Sequence, residues 1–358
     1  MRILMVYQMG KGDTNPYVSS LVLGLIKCGH EVVCSRDLFW KSFSEYDVLY
    51  FQWPEAIIDW GKEEIDIEKI LRHLNRIKEA GVKTVITCHN LHPHNNDPKI
   101  LELYNVVYTK VDAFHHMGRY SYDLFLKQYP RQYHFIAPHH VADSLWRNPF
   151  SLSEAKTYLQ IPKKNIVVSS FGAFRNREET RLFVDMAKDI CNRHITFLAP
   201  RIPMRPFYIG RHIRRTIRSL REFFLYKMTR IKNYGILTDE ELCNWLSASD
   251  IVFIQRKEIL NSGNLPLAYS AGKIVVGPDL GNVGVILKET GNFTFNPNDR
   301  GSVKRAVKGA IEAAKKNNVL GLQNYHYAKE NWSTSKICEL ISEELFKIVN
   351  NEYAETHF

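Results

Sequence analysis

The stretch ILNSGNLPLAYSAGKIVVGP, Ile259 to Pro278, decides how the fold is read. A polar loop, Asn261-Ser262-Gly263-Asn264, leads into small residues of helical character, a glycine at 272 and the apolar run KIVVGP. A short, continuously apolar run between turn residues reads as a strand buried on both faces, the habit of parallel sheets. The least bulky residues fall where loop becomes helix. Free N–H groups at a helix start, aided by the helix dipole, bind phosphate. The plain alternative is an ordinary N-cap.

The alternation extends in both directions. RILMVYQ (2–8) is an apolar strand, and Asn15-Pro16 opens a helix with Asn as N-cap and Pro at its first position. That helix runs to Gly29, where glycine suits the C-terminal turn. EVVCS and VLYFQ are strands, 62–80 is an amphipathic helix ending at Gly81, and KTVITC, AFHHM and HFIAPH complete a first sheet. The plan then repeats through NIVVSSFG, a helix over 177–192, HITFLAP, a helix opened by the capping box Thr238-Asp239-Glu240-Glu241, DIVFIQ, the quoted segment and NFTFN. Helices over 301–316 and 335–349 close the chain. Such alternation predicts parallel sheets with helices on both faces, and 358 residues exceed what one core usually supports. The expected fold is α/β: two doubly wound parallel-sheet domains facing a cleft, 1–150 and 151–332, with a C-terminal helix and tail at 333–358. The boundary falls within 142–164, where PFSLSEAKTYLQIPKK reads as connecting structure. Ligands of such sheets bind beyond the carboxyl ends of the strands.

Hydrophobic content of 45% and charged content of 24% are those of a soluble globular chain. The six cysteines are scattered without a CxxC, which points to reduced thiols in the cytoplasm. MRILMVYQMG has too short an apolar run for a signal peptide and reads as the first strand. No apolar stretch approaches the ~18 residues that span a bilayer. The net charge of +10 is local: between Arg201 and Lys232 ten Lys or Arg face one acid, Glu222, a net +9. Within 207–232, Ile213, Ile217, Leu220, Phe224, Met228 and Ile231 fall at helical spacing. One reading is a helix packed on its own domain with a solvated charged face; the other is attachment to an anionic membrane surface. With no recognised nucleic-acid module, no nucleic-acid partner is expected.

Titratable groups gather where strands end. Trp53-Pro54-Glu55 follows the third strand, His89, Asn90, His92 and His94 the fourth, and His139 and His140 the sixth. Arg175 and Arg177 follow the first strand of the second half, and RKEILNSGN, with Glu258, follows DIVFIQ. The histidines are either loop residues bonded to backbone or groups for substrate contact and acid–base work, which suits an imidazole titrating near neutrality. No acidic partner stands at metal spacing, so no metal is expected. The arginines either face solvent or, with the Asn261–Asn264 amides, clamp a diphosphate.

In these segments the chain resembles GT-B glycosyltransferases of bacterial polysaccharide biosynthesis, the glycosyltransferase group 1-like kind. QMGKGDTNPYVSSLVLGLIKCGHEV looks like their opening. YFQWPE, TCHNLHPHN and FIAPHH resemble their HWPE, HN-x-x-PH and PHG stretches. SSFGAFRNREE stands where the family holds the donor diphosphate, and the quoted segment resembles the family's donor loop and helix. The resemblance implies a metal-independent hexosyltransferase that needs no cofactor. Its donor would be a UDP- or GDP-sugar and its acceptor a glycan or lipid-linked molecule of surface polysaccharide assembly. It would work in the cytoplasm, peripheral to the inner face of the membrane. It implies His89, with His92 or Glu55, as the catalytic group, and Asn15, Asn90, His94 and His139 on the acceptor side. Donor contacts would come from Arg175, Arg177, Glu258, Asn261, Ser262, Gly263 and Asn264, and the last helix would cross back onto the first domain. Inversion would make one of the catalytic candidates a base; retention would let the donor phosphate take the proton. The chain departs from the family at Leu267, where many relatives carry a second glutamate, at Glu178, where a lysine is frequent and Arg177 stands nearest, and at His140, where a glycine is usual. A nucleotide-sugar 2-epimerase, a sugar phosphorylase or a non-catalytic sugar-nucleotide or glycan-binding protein would share these features.

Overall fold

The computed structural model describes residues 1–8, 16–93, 97–141, 150–203, 212–213, 216–217, 220, 227–316 and 318–352. Contacts divide the chain into two units: Met1–Ala142 together with Asn331–Phe358, and Asp143–Glu330.

In the first unit β1 (Arg2–Val6), α1 (Pro16–Lys27), β2 (Glu31–Cys34), α2 (Arg36–Lys41), β3 (Val48–Phe51), α3 (Ile67–Glu79), β4 (Lys83–Thr87), α4 (Pro98–Lys110), β5 (Ala113–His116), α5 (Arg119–Gln128) and β6 (Tyr133–Ile136) follow one another. The strands pair in parallel in the order β2-β1-β3-β4-β5-β6. β3 and β5 are buried along their whole length, as strands covered by helices on both faces must be. Gly29 and Gly81, with φ of 87° and 75°, end α1 and α3 in the left-handed turn that glycine enters without strain. The amphipathic helix expected over 62–80 begins only at Ile67, because the Asp66 side chain accepts from the Lys69 N–H and fixes the N-cap there. α2, α4 and α5 were not expected from the sequence. The unit also contains a strained turn. A 3₁₀ segment, Pro54–Gly61, is broken by Asp59 (φ 46°, ψ 48°) and Trp60 (φ 58°, ψ 35°), and Gly61 follows at φ 84°. A left-handed conformation costs an L-residue on the order of 1–2 kcal/mol.

The second unit runs α6 (Leu152–Tyr158), β7 (Ile166–Ser169), α7 (Arg177–Ile190), β8 (Ile195–Leu198), β9 (Ile231–Lys232), α8 (Asp239–Ser247), β10 (Ile251–Phe253), α9 (Asn264–Ser270), β11 (Ile274–Pro278), α10 (Gly281–Glu289), β12 (Phe293–Phe295), α11 (Arg300–Lys315) and α12 (Val319–Asn331). Its parallel order is β12-β11-β10-β7-β8-β9. Two expectations are corrected here. The stretch read as connecting structure contains α6, held by a Ser151/Glu154 capping box. From α6 the Lys156 Nζ reaches Asp250 Oδ2 (2.9 Å) and the Asn165 carbonyl (2.8 Å), tying the helix to the starts of β7 and β10. Ile231 lies buried in β9 instead of continuing a helical stripe.

The last helix, α13 (Thr334–Asn350), packs on the first unit. Its Ile337, Cys338, Ile341, Leu345 and Ile348 join Val18, Leu21 and Leu25 of α1 in one core. A Cβ on Gly24 would overlap the Cys338 sulfur, so only glycine lets the two helices approach this closely. Among the described residues no helix is long and apolar enough to cross a membrane.

Candidate functional site

In the second unit the segments that follow β7 and β10 meet around Gly172. Ser170 Oγ donates to Gln255 Oε1 (2.5 Å), and Gln255 Nε2 donates to the Gly172 carbonyl (3.0 Å). Arg256, nearly buried, donates through Nη1 to the Ala173 carbonyl (2.7 Å) and to Glu179 Oε2 (2.5 Å). The same Glu179 oxygen accepts the Arg175 N–H (2.8 Å), while Asn176 caps α7. The Arg175-to-Glu179 loop is thus pinned from beneath. A Cβ at Gly172 would lie 2.8 Å from Asn264 Nδ2, 3.1 Å from Arg256 Nη2 and 3.2 Å from Gln255 Nε2, so three N–H-bearing groups surround the missing side chain. Burial, and then the positive charges of Arg175 and Arg201, lower the Arg256 pKa, while Glu179 opposes them. The Arg175 and Arg201 charges are therefore close enough to act on the Arg256 guanidinium, an arrangement that an anion relieves.

The quoted loop borders this cluster. Asn282 at the start of α10 donates its N–H to the Leu260 carbonyl (2.9 Å) and its Nδ2 to Asn261 Oδ1 (2.8 Å). Gly281, at φ 56°, lies against Leu260, and a Cβ would collide with that backbone. α9 starts at Gly263 with no side-chain cap. Of the expected donor residues, Asn264 borders Gly172 and Arg175 acts on Arg256, whereas Asn261 is held by α10. Ser262 is half-buried, and Gly263, Arg177 and Glu258 are exposed. Lys257 lies 3.7 Å from Glu178, so a cation stands beside the position where the family resemblance had pointed to lysine. Gln255, Arg256, Lys257 and Arg201 were missed, although RK directly follows the strand DIVFIQ. The signal was adjacency to a strand end.

In the first unit the ends of β1, β3, β4 and β6 carry an aromatic and imidazole cluster. The Tyr17 ring stacks on His140 (4.7 Å, 22°) and packs against His139 (4.7 Å) and His89 (5.1 Å). His89 stacks on Trp53 (4.0 Å, 16°), and its Nε2 bonds Gln52 Oε1 (3.0 Å). An amide oxygen only accepts, so Nε2 carries the proton and Nδ1 is the basic nitrogen. Burial, then His139 and His115, hold His89 well below the usual imidazole range, so it is neutral at pH 7. Glu55 does not join His89: the Tyr104 hydroxyl is bonded to both its carboxylate oxygens (2.9 and 2.8 Å), and burial raises its pKa. Asn90 also bonds Tyr104. His92 is exposed, and Asn15 and His94 lie outside the described residues.

The whole chain is similar in structure to GT-B enzymes. Anabaena HepE, solved with UDP, matches with a TM-score of 0.71 at 16% identity, covering 97% of this chain and all of that one. Sucrose-phosphate synthase from Thermosynechococcus elongatus gives 0.71 at 15%, covering 98% and 99%. The catalytic domain of starch synthase IV from Arabidopsis thaliana, bound to ADP and acarbose, gives 0.65 at 11%, covering 98% and 99%. No family model matches the chain, and neither does any curated protein. At these identities the likeness shows the fold: the chain has the GT-B fold.

Proposed function

We propose that the protein is a glycosyltransferase that takes a sugar from a nucleotide-diphosphate donor, UDP- or GDP-linked, to a glycan or lipid-linked acceptor in surface polysaccharide assembly. The observation that carries this reading is Arg256 beside Gly172, with Arg175 and Arg201 close enough to act on its charge. A leaving diphosphate gathers negative charge as the glycosidic bond breaks, and preorganised cations and N–H donors stabilise it most where water is excluded. With three guanidinium groups at hand, the diphosphate needs no divalent ion, so EDTA leaves nucleotide binding unchanged. His89, neutral and held by Gln52 and Trp53, is the group proposed to face the acceptor hydroxyl. As a second acid–base candidate Glu55 acts only through Tyr104. Calorimetry with UDP and GDP tests the reading. Arg175→Ala is expected to weaken binding of the preferred nucleotide by about 1.5–3 kcal/mol, the scale of a charged hydrogen bond. Unchanged affinity would remove Arg175 from the site. Consumption of a nucleotide sugar with no acceptor present would instead identify an epimerase.

The same proposal places the enzyme on the inner face of the membrane through residues 207–232. Ile213, Ile217 and Met228 are 72%, 60% and 75% exposed, which supports an outward stripe over one packed on its own domain. Arg211, Arg214, Arg215 and Arg218, the expected lipid-facing cations, lie outside the described residues. The protein should sediment with vesicles containing anionic lipid and not with neutral ones. Binding should fall as salt shortens the Debye length from ~10 Å at 0.1 M to ~3 Å at 1 M. Equal sedimentation with both vesicle types would exclude electrostatic anchoring.

A further inference from the structure

The strained turn at Asp59–Gly61 holds an aromatic ring that the donor site does not use. Trp60 remains 47% exposed although its ring belongs to a ladder. It lies 5.6 Å from Trp53 and 6.3 Å, edge-on, from Tyr7, and Trp53 in turn stacks on His89 at 4.0 Å. Tyr7, Trp53 and His89 directly follow or closely follow β1, β3 and β4, three neighbouring strands of the first sheet. The ladder therefore runs from solvent to the imidazole at the end of β4.

A turn of this shape made only for stability would use glycine or asparagine, which enter the left-handed region readily. Here the chain puts a bulky residue there, beside Asp59 in the same conformation. Strain of this kind persists where it positions something, and it clusters at ligand clamps. What it positions is the flat, electron-rich face of an indole, on a residue about half exposed and flanked by two further aromatic rings. Such a face attracts polarised C–H bonds, and the C–H-lined face of a pyranose ring presents several in one plane. We propose that Trp60, seated on Trp53 and Tyr7, is a stacking platform for a pyranose ring of the acceptor glycan, leading that ring toward His89. This rests on the glycosyltransferase reading above and deepens its acceptor side.

The test follows the Trp60 indole N–H signal by NMR, assigned by its disappearance in Trp60→Phe. The probes are the methyl pyranosides of glucose, galactose, mannose and N-acetylglucosamine, because stacking reads the ring face shared by all four. At least one should shift the Trp60 signal saturably in the native protein. In the variants, which lack that signal, the neighbouring Trp53 indole N–H is followed instead: Trp60→Phe should keep the binding, weakened severalfold. Trp60→Gly should weaken it further, up to about tenfold, in line with the loss of an aromatic partner, while its melting temperature holds or rises because glycine relieves the left-handed backbone. A Trp60 signal unmoved by all four glycosides would overturn the platform. So would a Trp60→Gly variant that melts as early as a core truncation, because the ring would then be structural. UDP and GDP affinities, measured on the same samples, separate the two readings. Binding of either nucleotide without any glycoside response defeats the platform alone, and binding of neither by the native protein defeats the donor site.

Discussion

Arg256→Met should lose about 3–5 kcal/mol of stability and its affinity for the nucleotide diphosphate. The stability loss comes from Glu179. Its side chain is almost fully buried, and Arg256 Nη1 at 2.5 Å is the charge that offsets it. Removing one partner of a buried pair leaves the other charge uncompensated in a poorly polarisable medium. The affinity loss has a different origin: Arg256 Nη2 stands 3.1 Å from where a Cβ on Gly172 would lie, beside the proposed diphosphate site. The double variant Arg256→Met/Glu179→Leu separates the two effects. Replacing both members of a buried pair by apolar residues of similar size is often neutral, so much of the stability should return. About 0.5–1.5 kcal/mol should stay lost, because the Arg175 N–H donates to the same Glu179 oxygen and would have no acceptor. Nucleotide binding should not return at all. Urea denaturation and calorimetry on the pair of variants measure this. A double variant that binds the preferred nucleotide like the native protein would remove Arg256 from the site, and a single variant of native stability would show that the Arg256–Glu179 pair does not hold the fold.

The alternating strands were legible because a strand covered on both faces must be apolar at every position, and local runs such as ILMV, VLYF and IVVGP say so. Capped helices were legible for a similar reason: the Thr238/Glu241 box is a signal that spans only four positions. α12 was not legible, since it buries Gly321, Asn324 and Ala328 and carries no apolar stripe. The packing of α6 depends on Lys156 meeting Asp250, 94 positions away. The candidate site divides along the same line. Candidates that follow a strand end, such as Arg175 and His89, can be proposed from local order alone. Arg256 acts through Glu179, 77 positions distant, and Gly172 matters only because Asn264, Arg256 and Gln255 close on it. Trp60 shows the limit most clearly: nothing in AIIDWGK announces two consecutive left-handed residues ahead of the glycine.

Acid should destabilise the first unit well above the pH at which its carboxylates titrate. His115, His139 and His140 have pKa values lowered to about 4, about 4 and about 3, in each case chiefly by burial. The geometry of His115 shows why it resists a proton. Its Nε2 is 2.7 Å from the Ala137 carbonyl and must donate, so Nδ1 accepts from the Tyr50 hydroxyl at 2.6 Å. A proton on Nδ1 would have to reverse that hydroxyl bond and place a charge where burial excludes water. His140 is disfavoured further by any charge on His139 or His115. The sign follows directly. In the unfolded chain each imidazole titrates near 6.5, above its folded value. The stability that the neutral rings contribute is complete above pH 6.5 and is lost as pH falls from 6.5 toward 4, where the unfolded state binds more protons. Between pH 7.5 and 5.5 each such histidine should remove about 1.4 kcal/mol, and the three together about 4 kcal/mol. That is a large part of the 5–15 kcal/mol typical of a folded domain. The buried histidines among the described residues, His30, His73, His115, His116, His134 and His140, and the half-buried His89 and His139 all belong to the first unit. Hydrogen exchange should therefore show faster opening of β1, β3, β4, β5 and β6 at pH 5.5, with β7, β10 and β11 less affected. His140→Phe keeps a ring against Tyr17 but cannot titrate, so its stability should fall by about 1.4 kcal/mol less over the same interval. A native protein equally stable at both pH values would show that these rings are already charged, or hydrated, in the fold. An unaltered pH slope in His140→Phe would assign the loss to other groups.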